Sequence, residues 1–65
     1  MSHSEYWVQV KRAVQDHSRV IGYGVHHYVG HHPECVKLFS VSRNGGWEVA
    51  LHLANTLRDD LNAKA

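Results

Sequence analysis

The spacing of apolar positions changes close to residue 45. Before it, apolar side chains recur at every second position, and after Gly46 they recur at every third or fourth. Alternation at two is typical of half-buried strands, whereas the longer spacing is typical of an amphipathic helix. The pattern therefore predicts strands over 6–14, 20–29 and 35–43, followed by a helix over 47–61.

Short polar segments separate the predicted strands. Residues 15–19 and 30–34 read as turns, because Gly30 tolerates positive φ and Pro33 cannot donate to a strand ladder. Short connections favour an antiparallel meander. The run 44–46 breaks the last strand, with Asn44 or Gly45 predicted to cap the helix. We expect an α+β fold: a three-stranded antiparallel sheet with one C-terminal helix packed on one face, in one domain over 1–65.

The predicted core combines one side of each strand with one stripe of the helix. Its members are Val8, Val10, Ile21, Tyr23, Val25, Phe39, Val41, Trp47, Leu53, Ala54, Leu57 and Leu61. A single helix covers only one side of a sheet. The other side is then predicted to be bare, with Gly22 and Gly24 leaving room for a ligand backbone to approach.

Length and cysteine content narrow the class of protein. A chain of 65 residues buries a small core and is marginal in stability unless something assists it, so a homodimer is one expectation. Cys35 is the only cysteine, which excludes an internal disulfide and suits a reducing compartment. Residues 1–5 are polar and no run of about 20 apolar residues follows. We expect a cytoplasmic protein without a membrane partner.

The predicted bare face carries most of the candidate binding residues, and cations outside that face are available for phosphates. The chain has seven Lys and Arg residues and six Asp and Glu residues, which is not the strongly basic balance of a typical nucleic-acid binder. The part of the chain predicted to form the sheet is mildly positive. Exposed Trp and Tyr favour an interface over a merely solvated sheet face. The candidate contacts to nucleic acid or a protein partner are Trp7, Gln9, Lys11, Arg12, Arg19, His26, Tyr28, Lys37, Leu38, Ser40 and Arg43.

Metal binding and catalysis are weaker interpretations. Four histidines and Cys35 fall within residues 26–35, but His26 and His27 point to opposite faces of a strand. Asp59 and Asp60 are consecutive on the predicted helix and so form no carboxylate dyad. We expect no metal, no cofactor and no enzymatic activity.

Two runs of sequence resemble a known DNA-binding family. The strand-turn-helix run over 37–58 and the 21–25 segment Ile-Gly-Tyr-Gly-Val are similar to the Apetala-type domain of plant ethylene-response factors and to its phage integrase relatives. The resemblance implies a sheet that enters the DNA major groove. The chain departs from that family in the scarcity of arginine on the corresponding face.

Two functions from different classes follow from these patterns. The first is a small non-enzymatic DNA-binding module of phage or mobile-element type, with Gln9, Lys11, His26 and Ser40 near bases and with Arg12, Arg19, Lys37 and Arg43 on phosphates. The second is a phage-encoded inhibitor, in size and style like an anti-CRISPR protein, that blocks a host protein through Trp7, Tyr28 and Leu38. Self-association of the bare face is a third possibility.

Overall fold

The computed structural model of the protein describes residues 5–64 and contains three strands and one helix. The strands are β1 (Trp7–Arg12), β2 (Val20–Val29) and β3 (His32–Ser40), and the helix α1 spans Trp47–Lys64. The strands form one antiparallel sheet in the order β1-β2-β3, and α1 contacts all three. The predicted α+β fold is confirmed. Residues 1–4, which entered the prediction of no secretory leader, lie outside the described residues.

A tight turn joins β2 to β3. Val29 pairs with His32, so the loop contains only Gly30 and His31. Gly30 has φ of 64°. A two-residue loop whose first residue is a glycine with positive φ is typical of a type II′ hairpin turn. The predicted 30–34 turn was therefore too long, and β3 begins three residues before the predicted strand. Pro33 is accommodated because β3 is an edge strand.

The turn between β1 and β2 is stabilised by its own polar groups. The Asp16 carboxylate accepts hydrogen bonds from the Ser18 hydroxyl at 2.6 Å and from the Ser18 backbone N–H at 3.1 Å. These bonds hold the pKa of Asp16 below its ordinary 3.8, the hydroxyl contributing most. The Ala13 N–H donates to the Arg19 carbonyl at 2.9 Å, which closes the turn. As a result β1 ends at Arg12, two residues before the predicted strand end.

The core lies where α1 crosses the middle of the sheet. Tyr23 and Val25 of β2 and Ala50 and Ala54 of α1 are buried. The two alanines have no side chain beyond Cβ, so the helix backbone approaches the central strand closely. Half-buried side chains complete the core around them: Tyr6, Val8, Val20, Phe39, Val41, Leu51, Leu57 and Leu61.

A β-bulge moves one predicted core residue outward. Lys11 pairs with Gly22 and Arg12 pairs with Val20, so Ile21 is the extra residue on β2. Val20 packs against the core in its place, and Ile21 is 39% exposed. The alternation in the sequence continues unbroken through this position and predicted the wrong residue.

Three other predicted core residues lie outside the core. Val10 on the edge strand β1 is exposed, since α1 lies mainly over β2 and β3. Trp47 is 56% exposed at the first turn of α1, beyond the point where the helix crosses the sheet. Leu51 packs against the core instead of Leu53, because the helix is rotated so that positions 50, 54 and 57 face the sheet.

The helix begins and ends on specific hydrogen bonds. The Gly46 carbonyl accepts the first helical bond, from the Ala50 N–H at 3.1 Å. The Asn44 side chain instead donates to the Ser40 carbonyl at 2.7 Å, so the predicted cap at Asn44 or Gly45 was wrong. Near the far end, Asn62 accepts from the Tyr6 N–H at 2.8 Å and donates to the Tyr6 carbonyl at 3.2 Å. This pair of bonds attaches the helix end to the chain just before β1.

Candidate functional site

The candidate site is the side of the sheet that α1 leaves uncovered, which we term the open face. The pairing register places Trp7 beside His26, Gln9 beside Gly24 and Lys11 beside Gly22. On the other side of β2 the register brings β3 residues to the same face. The open face therefore consists of Trp7, Gln9, Lys11, Gly22, Gly24, His26, Tyr28, Cys35, Leu38 and Ser40.

One end of the open face is aromatic. The Trp7 indole stacks on the His26 imidazole with ring centroids 5.9 Å apart, and contacts the Tyr28 ring at 5.1 Å with a tilt of 41°. Tyr28 is 59% exposed, while Trp7 is half-buried beneath its neighbours. The indole N–H donates to the Gln9 side-chain oxygen at 3.4 Å. We call Trp7, His26 and Tyr28 the aromatic end.

His26 supports this end rather than offering a contact. Its side chain is buried, with the residue only 5% exposed, although it lies on the face without a helix. Its Nδ1 is 3.1 Å from the Gly24 carbonyl, so the ring is oriented by a bond in which Nδ1 donates. The predicted role of His26 beside DNA bases is therefore replaced by a role in fixing the Trp7 ring.

The two glycines of β2 do not form a ligand cradle. A Cβ added at Gly24 would lie 2.7 Å from His26 Cε1 and 3.3 Å from Cys35 Sγ. A Cβ added at Gly22 would lie 2.7 Å from the Phe39 carbonyl oxygen and 3.3 Å from Leu38 Cδ1. The space over these glycines is thus already filled by the His26, Cys35 and Leu38 side chains and by the β3 backbone, and the predicted approach of a ligand backbone does not fit.

The opposite end of the open face is basic. Lys11, Gly22 and Ser40 lie at one level across the sheet. The two segments that meet there, residues 11–19 and 40–46, carry Lys11, Arg12, Arg19 and Arg43 against one acid, Asp16. We call these four cations, with Ser40 and Ser42, the basic end.

A groove of about 390 Å³ runs along the basic end. It is lined by Arg19, Val20, Ile21, Leu38, Ser40, Val41 and Ser42. The hydroxyl oxygens of Ser40 and Ser42 are 3.1 Å apart, and Ser40 Oγ also accepts from the Arg43 backbone N–H at 3.3 Å. Ser42 lies in the turn beyond β3. Hydroxyls beside guanidinium groups are suited to phosphate oxygens.

The cations of the helix form salt bridges, whereas those of the basic end do not. On α1, Arg58 pairs with Asp59 at 2.9 Å and Lys64 pairs with Asp60 at 3.1 Å. These are the salt bridges found among residues 5–64, and none of them involves a cation of the basic end. Arg12 donates to the His17 carbonyl at 3.1 Å, a bond that leaves its positive charge unneutralised. Cations without a salt bridge are therefore concentrated at one end of the sheet, in and beside the turns that close it.

Lys37 is a predicted phosphate contact that lies on the helix-facing side of the sheet. Its register partner is the buried Val25, and its ammonium group lies 5.6 Å from the centre of the Phe39 ring on the helix-facing side. It does not join the basic end. Arg12 likewise pairs with a residue that packs against the core, Val20, so its side chain starts from the helix-facing side. Seven of the other nine predicted residues lie on the open face, and Arg19 and Arg43 lie in the turns at its basic end. Cys35, which was not predicted, is an exposed member of the open face.

The histidine-rich segment is divided by the sheet. His26 faces Trp7, whereas His27 faces the other side and stacks on Tyr6 with ring centroids 4.8 Å apart. The Nδ1 atom of His27 is buried and has no hydrogen-bond partner. Within residues 5–64 no three His, Cys, Asp or Glu side chains come together in a group that could hold a metal ion.

Comparison with known proteins adds no family. A scan against protein-family models and searches of curated proteins and of solved structures found no match to this chain. In the described part of the chain, no helix is both long enough and apolar enough to cross a membrane.

Proposed function

We propose that the protein is a small non-enzymatic DNA-binding module that uses its open face. The observation that carries the proposal is the unpaired positive charge at the basic end, beside the Ser40 and Ser42 hydroxyls. Lysine and arginine on phosphates supply most of the affinity of nonspecific DNA binding. The basic end would hold phosphates, and Gln9, Lys11 and Ser40 would lie near bases.

The resemblance to the Apetala-type and phage integrase domains supports this function. Those domains present a three-stranded sheet to DNA, and the described elements have the same order of strands and helix. The departure also remains, because the only Lys or Arg on the open face proper is Lys11. In this proposal the protein is cytoplasmic and of phage or mobile-element type.

A mobility-shift assay at two salt concentrations tests this function. If four cations contact phosphates, the logarithm of the binding constant falls with that of salt with a slope of about −3.6. Affinity for random duplex DNA should then drop about 150-fold between 50 and 200 mM salt. Absence of a shift at 50 mM with duplex DNA and with single-stranded DNA alike would rule out the proposal.

Two matched double variants test whether DNA binds at the basic end. Lys11→Ala with Arg19→Ala removes two cations that have no salt bridge, and the slope should fall by about 1.8. Arg58→Ala with Lys64→Ala removes the same charge from the helix, where both cations are already paired, and should leave affinity nearly unchanged. Equal losses in the two double variants would show that net charge, rather than this surface, attracts DNA.

A protein inhibitor is the second candidate, and one observation favours it. Tyr28 and Leu38 are large exposed side chains on the open face, next to the half-buried Trp7. Anchors of this kind give complexes that depend little on salt. Under this hypothesis DNA is not shifted at low salt and Trp7→Ala is the most damaging single change. A dimer formed through the same face would be detected by sedimentation of the protein alone.

A further inference from the structure

We propose that the DNA bound by the open face contains unpaired bases, and that one such base stacks on Tyr28. This inference rests on the proposed function and specifies its substrate class. The basic end would hold the phosphates of the same strand. The aromatic end, which the duplex interpretation leaves without a ligand, then has a defined role.

The ring of Tyr28 is exposed on the open face. More than half of Tyr28 is accessible, and its ring is held from one side by Trp7, which is itself held by His26. In a duplex the faces of each base are covered by neighbouring base pairs, and only the base edges are accessible in the grooves. A ring that offers a flat surface therefore matches an unstacked base, as aromatic side chains do in single-strand binders.

The middle of the open face supports the same substrate. Leu38 lies over Gly22 and His26 lies over Gly24, so the centre of the face is largely filled by hydrocarbon and a buried ring. Gln9, Lys11 and Ser40 are the polar side chains left to meet base edges. Three such groups are few for reading a duplex, whereas stacking requires no particular edge.

The two ends are also suitably separated. Tyr28 lies six residues along β2 from Gly22, which corresponds to about 20 Å along a strand. A single strand of several nucleotides fits this distance, with its phosphates at the basic end and one base on Tyr28. Stacking and phosphate contacts then contribute separately to affinity, so the two can be measured apart.

Fluorescence anisotropy with two labelled DNAs tests the inference. The probes are an oligothymidylate and the same oligonucleotide paired with oligodeoxyadenylate. We expect tighter binding of the unpaired strand at 50 mM salt. Tyr28→Ala should weaken that binding by about 5- to 150-fold without changing the salt slope, and Tyr28→Phe should retain it. Trp47→Ala removes an exposed ring outside the open face and is the matched control, with no expected change.

Tryptophan emission provides an independent readout. In a Trp47→Phe background Trp7 is the only tryptophan. Because Trp7 contacts the Tyr28 ring, oligothymidylate should change its emission in the Trp47→Phe protein and much less after Tyr28→Ala is added. Circular dichroism confirms that each variant is folded.

The outcomes separate this inference from the proposed function. If the duplex binds as tightly as the unpaired strand, or if Tyr28→Ala costs no more than Trp47→Ala, the inference is overturned while DNA binding stands. If neither DNA binds at 50 mM salt, both are overturned. Preference for the unpaired strand that depends on the Tyr28 ring supports both.

Discussion

At the scale of single residues, the role of Gly22 and Gly24 in β2 depends on which groups pack over them. From the sequence, Gly22 and Gly24 are predicted to leave room for a ligand backbone, because glycine has no side chain. The space belongs to Leu38, His26 and the β3 backbone, none of which the local sequence places there. A glycine in a strand therefore indicates close approach, but the approaching group is known only from the pairing register.

The two glycines should respond differently to substitution. Gly22→Ala brings Cβ against the Phe39 carbonyl oxygen, a backbone atom that cannot move without disturbing β3. We expect a loss of about 1–3 kcal/mol in the free energy of unfolding, which exceeds the 0.5–1 kcal/mol that replacing a strand glycine usually gains.

Gly24→Ala is the comparison for that experiment. Its Cβ meets the His26 ring, which can rotate away, so the loss of stability should be smaller. Rotation would disturb the stacking with Trp7 and change tryptophan emission. Urea unfolding followed by circular dichroism measures both variants. A larger loss at Gly24 than at Gly22 would contradict this assignment.

Asp16 gives a prediction for the dependence of stability on pH. Its folded-state pKa is lowered below 3.8 by the Ser18 hydroxyl and then by the Ser18 N–H. A lowered acid pKa contributes stability that is fully present above pH 3.8 and is lost as pH falls through the folded value. Ser18→Ala should move the Asp16 titration, followed by NMR of the carboxyl carbon, back toward 3.8. The stability difference between the two proteins should shrink as the pH falls below 3.8. A titration at or above 3.8 in the unmodified chain would refute this.

At the scale of elements, the positions of α1 and β3 depend on contacts between distant segments. The helical spacing indicated where α1 lies in the sequence, but its rotation about its axis is set by packing on β2, which selects Leu51 over Leu53. The bulges opposite Lys11 and beside His26 likewise arise from pairing, and they place Ile21 and Val36 outside the regular register. Side-chain alternation alone cannot locate a bulge.

The attachment of α1 to the start of the sheet can be tested through Asn62. Its amide makes two hydrogen bonds to the Tyr6 backbone. Asn62→Ala should lower the free energy of unfolding by about 1–3 kcal/mol, since both bonds are lost. Asn55→Ala on the same helix is the control, because it shares the change in helix propensity without these bonds. Equal effects of the two substitutions would show that the attachment contributes nothing.

At the scale of the whole molecule, stability is concentrated in β2. This strand pairs on both edges and supplies Tyr23 and Val25 to the core. On the open face, its His26 packs in a small aromatic cluster with Trp7. Four apolar residues are buried among residues 5–64, so the core between α1 and the sheet is thin. The edge strands are held from one side only.

Amide hydrogen exchange should reflect this arrangement. Backbone amides of Tyr23 and Val25 should exchange most slowly, at rates approaching those of global unfolding, and amides of β1 should exchange faster. β1 is a six-residue edge strand and receives the least contact from α1. Protection of β1 equal to that of β2 would indicate a more uniformly stable molecule than this packing predicts.

The sequence by itself determined the order and type of the elements and the side of the sheet that α1 covers. This was possible because a period of two, a glycine break and a period near four are local properties of the chain. Only the tertiary structure decided that Val20 rather than Ile21 joins the core and that Leu38 and His26 fill the space over Gly22 and Gly24. Those outcomes depend on pairing between residues far apart in the chain, and a shift of one residue in pairing changes the face to which a side chain belongs.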